Sequence, residues 1–295
     1  MALGLVQYSF GRKNLPEAAS EVPNPLPKER YPLVIGVAIA GIAVIVVLVL
    51  VGVIRADNLA LIVIVTVIAA AIACFVVILT SKRVSADERS RVWGFLPLFI
   101  TSVAFWSLYQ QQFTVLTVYS DQRLDRNLFG SEMPVSWVIS INPIFIIILS
   151  GVFAAIWTKL GSRQPSTPVK FGLATIVMGA AFLMFLPFAG GGENSTPLLA
   201  IIGILFVFTV AELLLSPVGL SVTTKLAPDA FHTQMVALFF LSVSLGTAIA
   251  GQVATLYNPD DEVPYFTTHG LIAIAIGVLL LVSVKPVLHL MRGVR

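Results

Sequence analysis

The chain has 295 residues, of which 57% are hydrophobic and 11% charged, with a formal net charge of +3. Soluble domains carry about 25% charged residues, so these numbers exclude a water-covered globular domain and make lipid the solvent for most of the chain. The positive excess forms no basic stripe interleaved with aromatics, so nucleic acid is not a partner. The lone Cys74 excludes an intrachain disulfide, and the scattered His232, His269 and His289 offer no metal cluster.

Residues 1–31 lack the continuous apolar core and A-x-A cleavage site of a signal peptide. They are basic and carry Pro16, Pro23, Pro25 and Pro27, which reads as a cytoplasmic linker. About 20 apolar residues cross the hydrocarbon core as a helix. Two nearly unbroken stretches of that length, 33–54 and 59–79, are joined by four residues and predict a transmembrane hairpin over 32–80. Both are Val/Ile/Ala-rich with almost no polar side chains, as expected of helices that face lipid and do structural work; Cys74, inside the second, reads as packing. A charged linker over 81–91 follows.

Six further spans are predicted at 92–119, 135–157, 171–192, 197–222, 234–257 and 270–291, forming a bundle over 92–295. With residue 1 in the cytoplasm, 15 of the 18 Lys and Arg fall on the inside, Lys285 among them at the inner end of the last span, and only Arg55, Arg123 and Arg126 fall outside. Adding or removing one span scrambles that separation. The expected architecture is therefore all-α and integral to the membrane. It has eight helices, both termini in the cytoplasm, and a cell inner (cytoplasmic) membrane location.

Polar residues at membrane depth carry the functional signal. In span 92–119, Ser107, Gln110, Gln111 and Thr114 form a polar patch at helical spacing beside Trp106 and Tyr109. Such a patch either lines a path or bonds neighbouring helices. In span 135–157, Asn142 precedes Pro143, an amide beside a broken helix bond. Glu212 is the only acidic residue deep in any span. A charge at that depth costs about 2.5–3.5 kcal/mol on insertion scales. Its carboxyl either faces a cavity to bind a cation or exchange a proton, or is held neutral by a neighbouring helix. Ser216 lies one turn on, on the same face. Pro217 frees the carbonyl of Leu213 and invites a kink, with Gly219 nearby. In span 234–257, Ser242, Gly246, Ala250 and Ala254 form a small-residue stripe that reads as close helix packing.

No P-loop, Ser-His-Asp set, H-E-x-x-H or dinucleotide fingerprint occurs in the sequence, so neither a cofactor nor ATP chemistry is expected. Glu212 as a general base would have neither a nucleophile nor a metal ligand beside it, and an enzyme is not the expected reading.

The strings Phe105–Gln111 (FWSLYQQ), Asn142–Phe145 (NPIF) and above all Glu212–Pro228 (ELLLSPVGLSVTTKLAP) resemble the proton-dependent oligopeptide transporters, a branch of the major facilitator superfamily. Gly11–Leu15 looks like the cytoplasmic end of that family's sixth helix. The resemblance covers nearly the whole chain. It implies that 32–80 is a hairpin inserted between two halves and that the remaining spans are helices seven to twelve. It also implies that Glu212 receives a peptide's amino terminus or a proton, with Asn142 beside it. Ser216, Trp106, Phe239 and Phe240 would line side-chain pockets, and Gln110, Gln111 and Tyr109 the substrate-facing patch. The implied partners are di- and tripeptides and protons.

Two departures qualify the resemblance. The family's N-terminal six helices, with an E-x-x-E-R motif and the basic residues that take the peptide carboxylate, are missing from this sequence. Many members also have an acid where this chain has Gln110, which leaves Glu212 as the main protonatable candidate. The rival expectation is a membrane protein that does not transport, either a remnant or a half that needs a separate partner chain.

Overall fold

In lipid every backbone N–H and C=O must be satisfied within the chain, and a run of apolar residues achieves this as a helix. The computed structural model describes residues 2–14, 27–128 and 130–294; Pro16, Pro23 and Pro25 of the expected linker lie outside them. Among the described residues eight helices are long and apolar enough to cross a membrane, one for each predicted span.

The chain divides into two compact units, residues 1–55 and 56–295. The first contains α1 (Ala2–Gly11) and α2 (Tyr31–Leu50). Within the segment expected as a linker, α1 stops at Gly11, before a 3-10 turn over Arg12–Asn14. No residue of α2 is buried, as its uniform Val/Ile/Ala composition requires of a lipid-facing helix.

The second unit contains α3 (Leu59–Thr80), α4 (Ala86–Tyr109), α5 (Val115–Gln122), α6 (Val135–Leu160), α7 (Thr167–Leu183), α8 (Leu198–Leu226), α9 (His232–Ala254), α10 (Val263–Val282) and α11 (Val284–Leu290). A two-residue hairpin, β1 (Asn127–Leu128) and β2 (Ser131–Glu132), turns at Gly130 with φ 85°.

Two predicted spans are broken. The span expected over 92–119 leaves the α-helix after Tyr109, passes through a 3-10 turn (Gln110–Phe113) and a kinked Thr114 (φ −123°, ψ −90°), and resumes as α5. No Pro or Gly marks this point. Side chains take over backbone bonding instead: Gln111 Nε2 donates to the carbonyls of Ser107 (3.2 Å) and Ala250 (3.1 Å), and Thr114 Oγ1 donates to Gln111 Oε1 (2.8 Å). The last span starts earlier than predicted, at Val263, with Pro264 in the first turn where its missing N–H costs nothing. It breaks at Ser283, whose Oγ donates to the carbonyls of Leu279 (2.8 Å) and Leu280 (3.1 Å). By contrast, α8 runs through Pro217 as one helix.

Small residues set the closest helix contacts. Gly172 and Gly179 of α7 meet Gly277 and Gly270 of α10 in an antiparallel seam. A Cβ at Gly179 would lie 2.5 Å from the Gly270 carbonyl oxygen, and one at Gly277 would lie 2.7 Å from that of Gly172. Gly179→Ala should therefore destabilise the bundle by about 1–3 kcal/mol through forced separation. Gly203→Ala, where a Cβ meets nothing within 4 Å, should be neutral or slightly stabilising. Detergent-induced unfolding followed by circular dichroism separates the two. The α9 stripe packs on α4: Ser242 and Ser102 share a 2.8 Å hydrogen bond, and a Cβ at Gly246 would lie 2.8 Å from the Val103 carbonyl oxygen. Helix α3 seats Phe75 edge-on to Phe99 on α4, at 5.7 Å between ring centroids, and Cys74 Sγ lies 3.6 Å from the Gln234 carbonyl on α9.

Polar ties close both ends of this unit. At the basic end Glu88 completes a capping box with Ser85 and accepts the Asp229 N–H at 2.9 Å, Ser90 Oγ donates to the Leu290 carbonyl, and Arg292 pairs with Asp87 at 3.4 Å. At the opposite end Glu262, 0% exposed, accepts from Arg123 Nε (3.3 Å), Tyr257 Oη (2.7 Å) and Gly190 N (3.2 Å). Arg123 also donates to the carbonyls of Gly191 and Pro259. Three separate connections are thereby lashed around one ion pair.

Candidate functional site

Glu212 occupies the midpoint of the 29-residue α8. The break after Tyr109 leaves that side chain at the end of α4, and Asn142 is one of two buried residues on α6. These three side chains from three helices meet. Tyr109 Oη donates to Asn142 Oδ1 at 3.2 Å, and Asn142 Nδ2 donates to Thr209 Oγ1 at 3.0 Å. Thr209, three residues before Glu212 and so on the same face of α8, donates in turn to the Leu205 carbonyl at 2.9 Å. Tyr109 and Asn142 lie against the Glu212 carboxyl, yet Glu212 Oε2 is buried without a hydrogen-bond partner.

Aromatic packing fixes the tyrosine. Trp106 stands edge-on to Tyr109 at 5.1 Å between ring centroids, and Phe105 stacks on it at 6.0 Å. Gln112, 1% exposed, lies against Tyr109 with its Nε2 unpartnered, and Trp106 Nε1 is likewise buried without a partner. No charged side chain among the described residues acts on the Glu212 carboxyl. The arrangement is a single carboxyl surrounded by neutral dipoles, with no built-in countercharge. It can hold a proton, or as a carboxylate it can pair with an incoming cation such as an ammonium group.

The other predicted residues are placed around this group. Ser216 is half-buried one turn further along α8. Gln110 reaches α9, where its Nε2 donates to Thr247 Oγ1 at 2.9 Å, and Gln111 spends its amide on backbone carbonyls. Phe239 is buried against Gly219, the position at which a Cβ would collide with its ring. Phe240 is 54% exposed beside it and does not join the Tyr109–Asn142–Glu212 cluster. Sequence reasoning missed Gln112 and Thr209. The signals were present: a third glutamine in the run Gln110–Gln112, and a hydroxyl one turn before the acid. Among the described residues no group of three or more His, Cys, Asp or Glu is placed to hold a metal.

Comparison with known proteins places this arrangement in context. A family model described as the POT family matches residues 1–272. An uncharacterized transporter YclF of Bacillus subtilis (strain 168) is 42% identical over 298 residues, covering 100% of this chain and 60% of that protein. A di-/tripeptide transporter of Lactococcus lactis subsp. cremoris is 42% identical over 75% of this chain and 46% of its own length. A crystal structure of a mutant peptide transporter POT in complex with alafosfalin superposes with a TM-score of 0.85 at 39% identity, over 99% of this chain and 60% of that one. This chain therefore spans about 60% or less of the proteins it matches.

Proposed function

This chain belongs to the POT family, a family of transporters and not of enzymes, and from that premise we propose that it forms the C-terminal part of a proton-coupled symporter for di- and tripeptides. The observation that carries the proposal is the half-buried Glu212 at mid-depth, whose Oε2 is buried without a hydrogen-bond partner, beside Tyr109 and Asn142. A peptide's ammonium group supplies the countercharge this site lacks; a proton taken up by Glu212 cancels the attraction and releases it. Alternating access exposes the site to one face and then the other. Each charge carried inward gains about 2.3 kcal/mol per 100 mV of membrane potential. Ser216, Trp106, Gln110, Gln111, Phe239 and Phe240 are assigned to the substrate's side-chain and backbone contacts. The activity belongs to the whole transporter, in which six further helices bring the groups that take the peptide carboxylate. The distribution of Lys and Arg supports cytoplasmic termini in the cell inner membrane.

Proteoliposomes holding the intact transporter test this reading. An inward proton gradient should drive labelled dipeptide above its equilibrium level, and a protonophore should return it to that level. Accumulation that ignores the protonophore rejects the coupling. Absence of dipeptide uptake under any gradient rejects the substrate.

A further inference from the structure

We propose that the Tyr109 hydroxyl is a positioning group that toggles between Asn142 and Glu212, so that α4 is tied to α6 when Glu212 is neutral or paired and to α8 when Glu212 stands as a bare carboxylate. The inference rests on the reading of Glu212 as a group that changes charge during transport.

A tyrosine hydroxyl has one proton to give. Here it goes to Asn142 Oδ1 at 3.2 Å, a long hydrogen bond for an O–H donor. The chain continues in one direction, from Asn142 Nδ2 to Thr209 Oγ1 and from Thr209 to the Leu205 carbonyl. Tyr109 has no second proton and Asn142 gives one of its two amide N–H groups to Thr209, while Glu212 Oε2, though flanked by both residues, is buried with no donor. That arrangement suits a neutral carboxyl. An ionised one accepts hydrogen bonds about twice as strong as neutral groups do, and the Tyr109 O–H beside it is a proton it can draw. Asn142 is held in place by the N–H it gives to Thr209, whereas the phenol O–H changes partner by rotating about one bond. Gln112 Nε2, buried and unpartnered against Tyr109, can donate to the phenol oxygen in either state and hold it while the proton swings. Among the described residues no other titratable or charged group intrudes. Tyr109 is the titratable neighbour on α4, Asn142 on α6 is neutral, and α7, α9 and α10 put no charge on the carboxyl.

The test reads Glu212 itself. In the intact transporter in lipid nanodiscs, the protonated-carboxyl infrared band lost in Glu212→Gln is followed against pH. Tyr109→Phe keeps the ring that packs on Trp106 and Phe105 and removes only the donor that favours the carboxylate. The midpoint should move to higher pH by about one unit or more, a tenfold gain in proton affinity. Fluorotyrosine at position 109, a stronger donor of nearly the same shape, should move it to lower pH, and this arm decides the matter if the Phe variant does not fold. A midpoint that stays put in both, or a band that does not titrate over the folded range, overturns the toggle. Uptake by Glu212→Gln tests the transport reading separately: lost uptake with an unmoved midpoint sinks the toggle alone, and shifted midpoints with uptake intact sink the transport reading alone.

Discussion

Glu212→Gln is expected to abolish proton-driven dipeptide accumulation by the intact transporter and to leave the protein folded in the membrane. The amide has the size and nearly the shape of the carboxyl, so packing beside Tyr109 and Asn142 is preserved, and the buried charge that costs stability at this depth is removed. Two capacities disappear. The amide does not titrate, so no proton can be carried at this position. It also offers an ammonium group a neutral acceptor in place of a charged one; hydrogen bonds to charged groups are worth about 1.5–3 kcal/mol, so substrate affinity should fall about 10- to 100-fold. Accumulation in proteoliposomes and dipeptide binding by calorimetry measure the two losses separately. A variant that accumulates dipeptide normally removes Glu212 from the mechanism. Normal binding with lost accumulation confines it to the proton.

Arg123→Ala should be the most damaging single substitution to stability outside the site. Glu262 is 0% exposed, and the Arg123 side chain is 15% exposed. Removing one partner of a buried ion pair leaves the other charge uncompensated, at a cost of about 3–5 kcal/mol. The Arg123 guanidinium also donates to the carbonyls of Gly191 and Pro259, so the loop ahead of α8 and the one ahead of α10 lose their common anchor. Adding Glu262→Gln should recover part of the loss, because it removes the uncompensated charge while the one amide oxygen still accepts from either Tyr257 or the Gly190 N–H. Detergent unfolding curves for the single and double variants decide it. A single variant within about 0.5 kcal/mol of the parent would show the pair to be a surface contact of the ordinary kind.

Much of this was legible in the sequence because lipid imposes a simple rule. A run of about 20 apolar residues has one stable form at membrane depth, so the eight runs appear as eight helices long enough to span it among the described residues. Glu212 and Asn142 stood out for the same reason: a polar side chain is conspicuous where almost everything else is Val, Ile or Leu. The break after Tyr109 was hidden. It depends on Gln111 reaching the Ala250 carbonyl 139 positions away, and no local residue announces that bond. The seam between α7 and α10 was hidden too. Its glycines recur every seven residues, and each has meaning only opposite its partner on the other helix. Arg123 read as an outside loop charge and Glu262 lay unremarked between two predicted spans, because burial at the end of a bundle depends on which loops fold over it. Gln112 was passed over beside two other glutamines, since orientation within a 3-10 turn does not follow helical spacing.

The seam between α7 and α10 also has a mechanical meaning. Where two helices touch through side chains, one can slide past the other as rotamers readjust. Where they touch backbone to backbone, any slip lifts a side-chain-bearing residue onto the opposing carbonyls. The register repeats only after seven residues, about 10 Å of travel. The two helices therefore form one stiff beam, free to tilt as a unit and unable to shear. The alternating access proposed for the Glu212 site would then be hinged elsewhere, and the interrupted rod of α4 and α5, with Tyr109 at its break, is the compliant part that the beam leaves available.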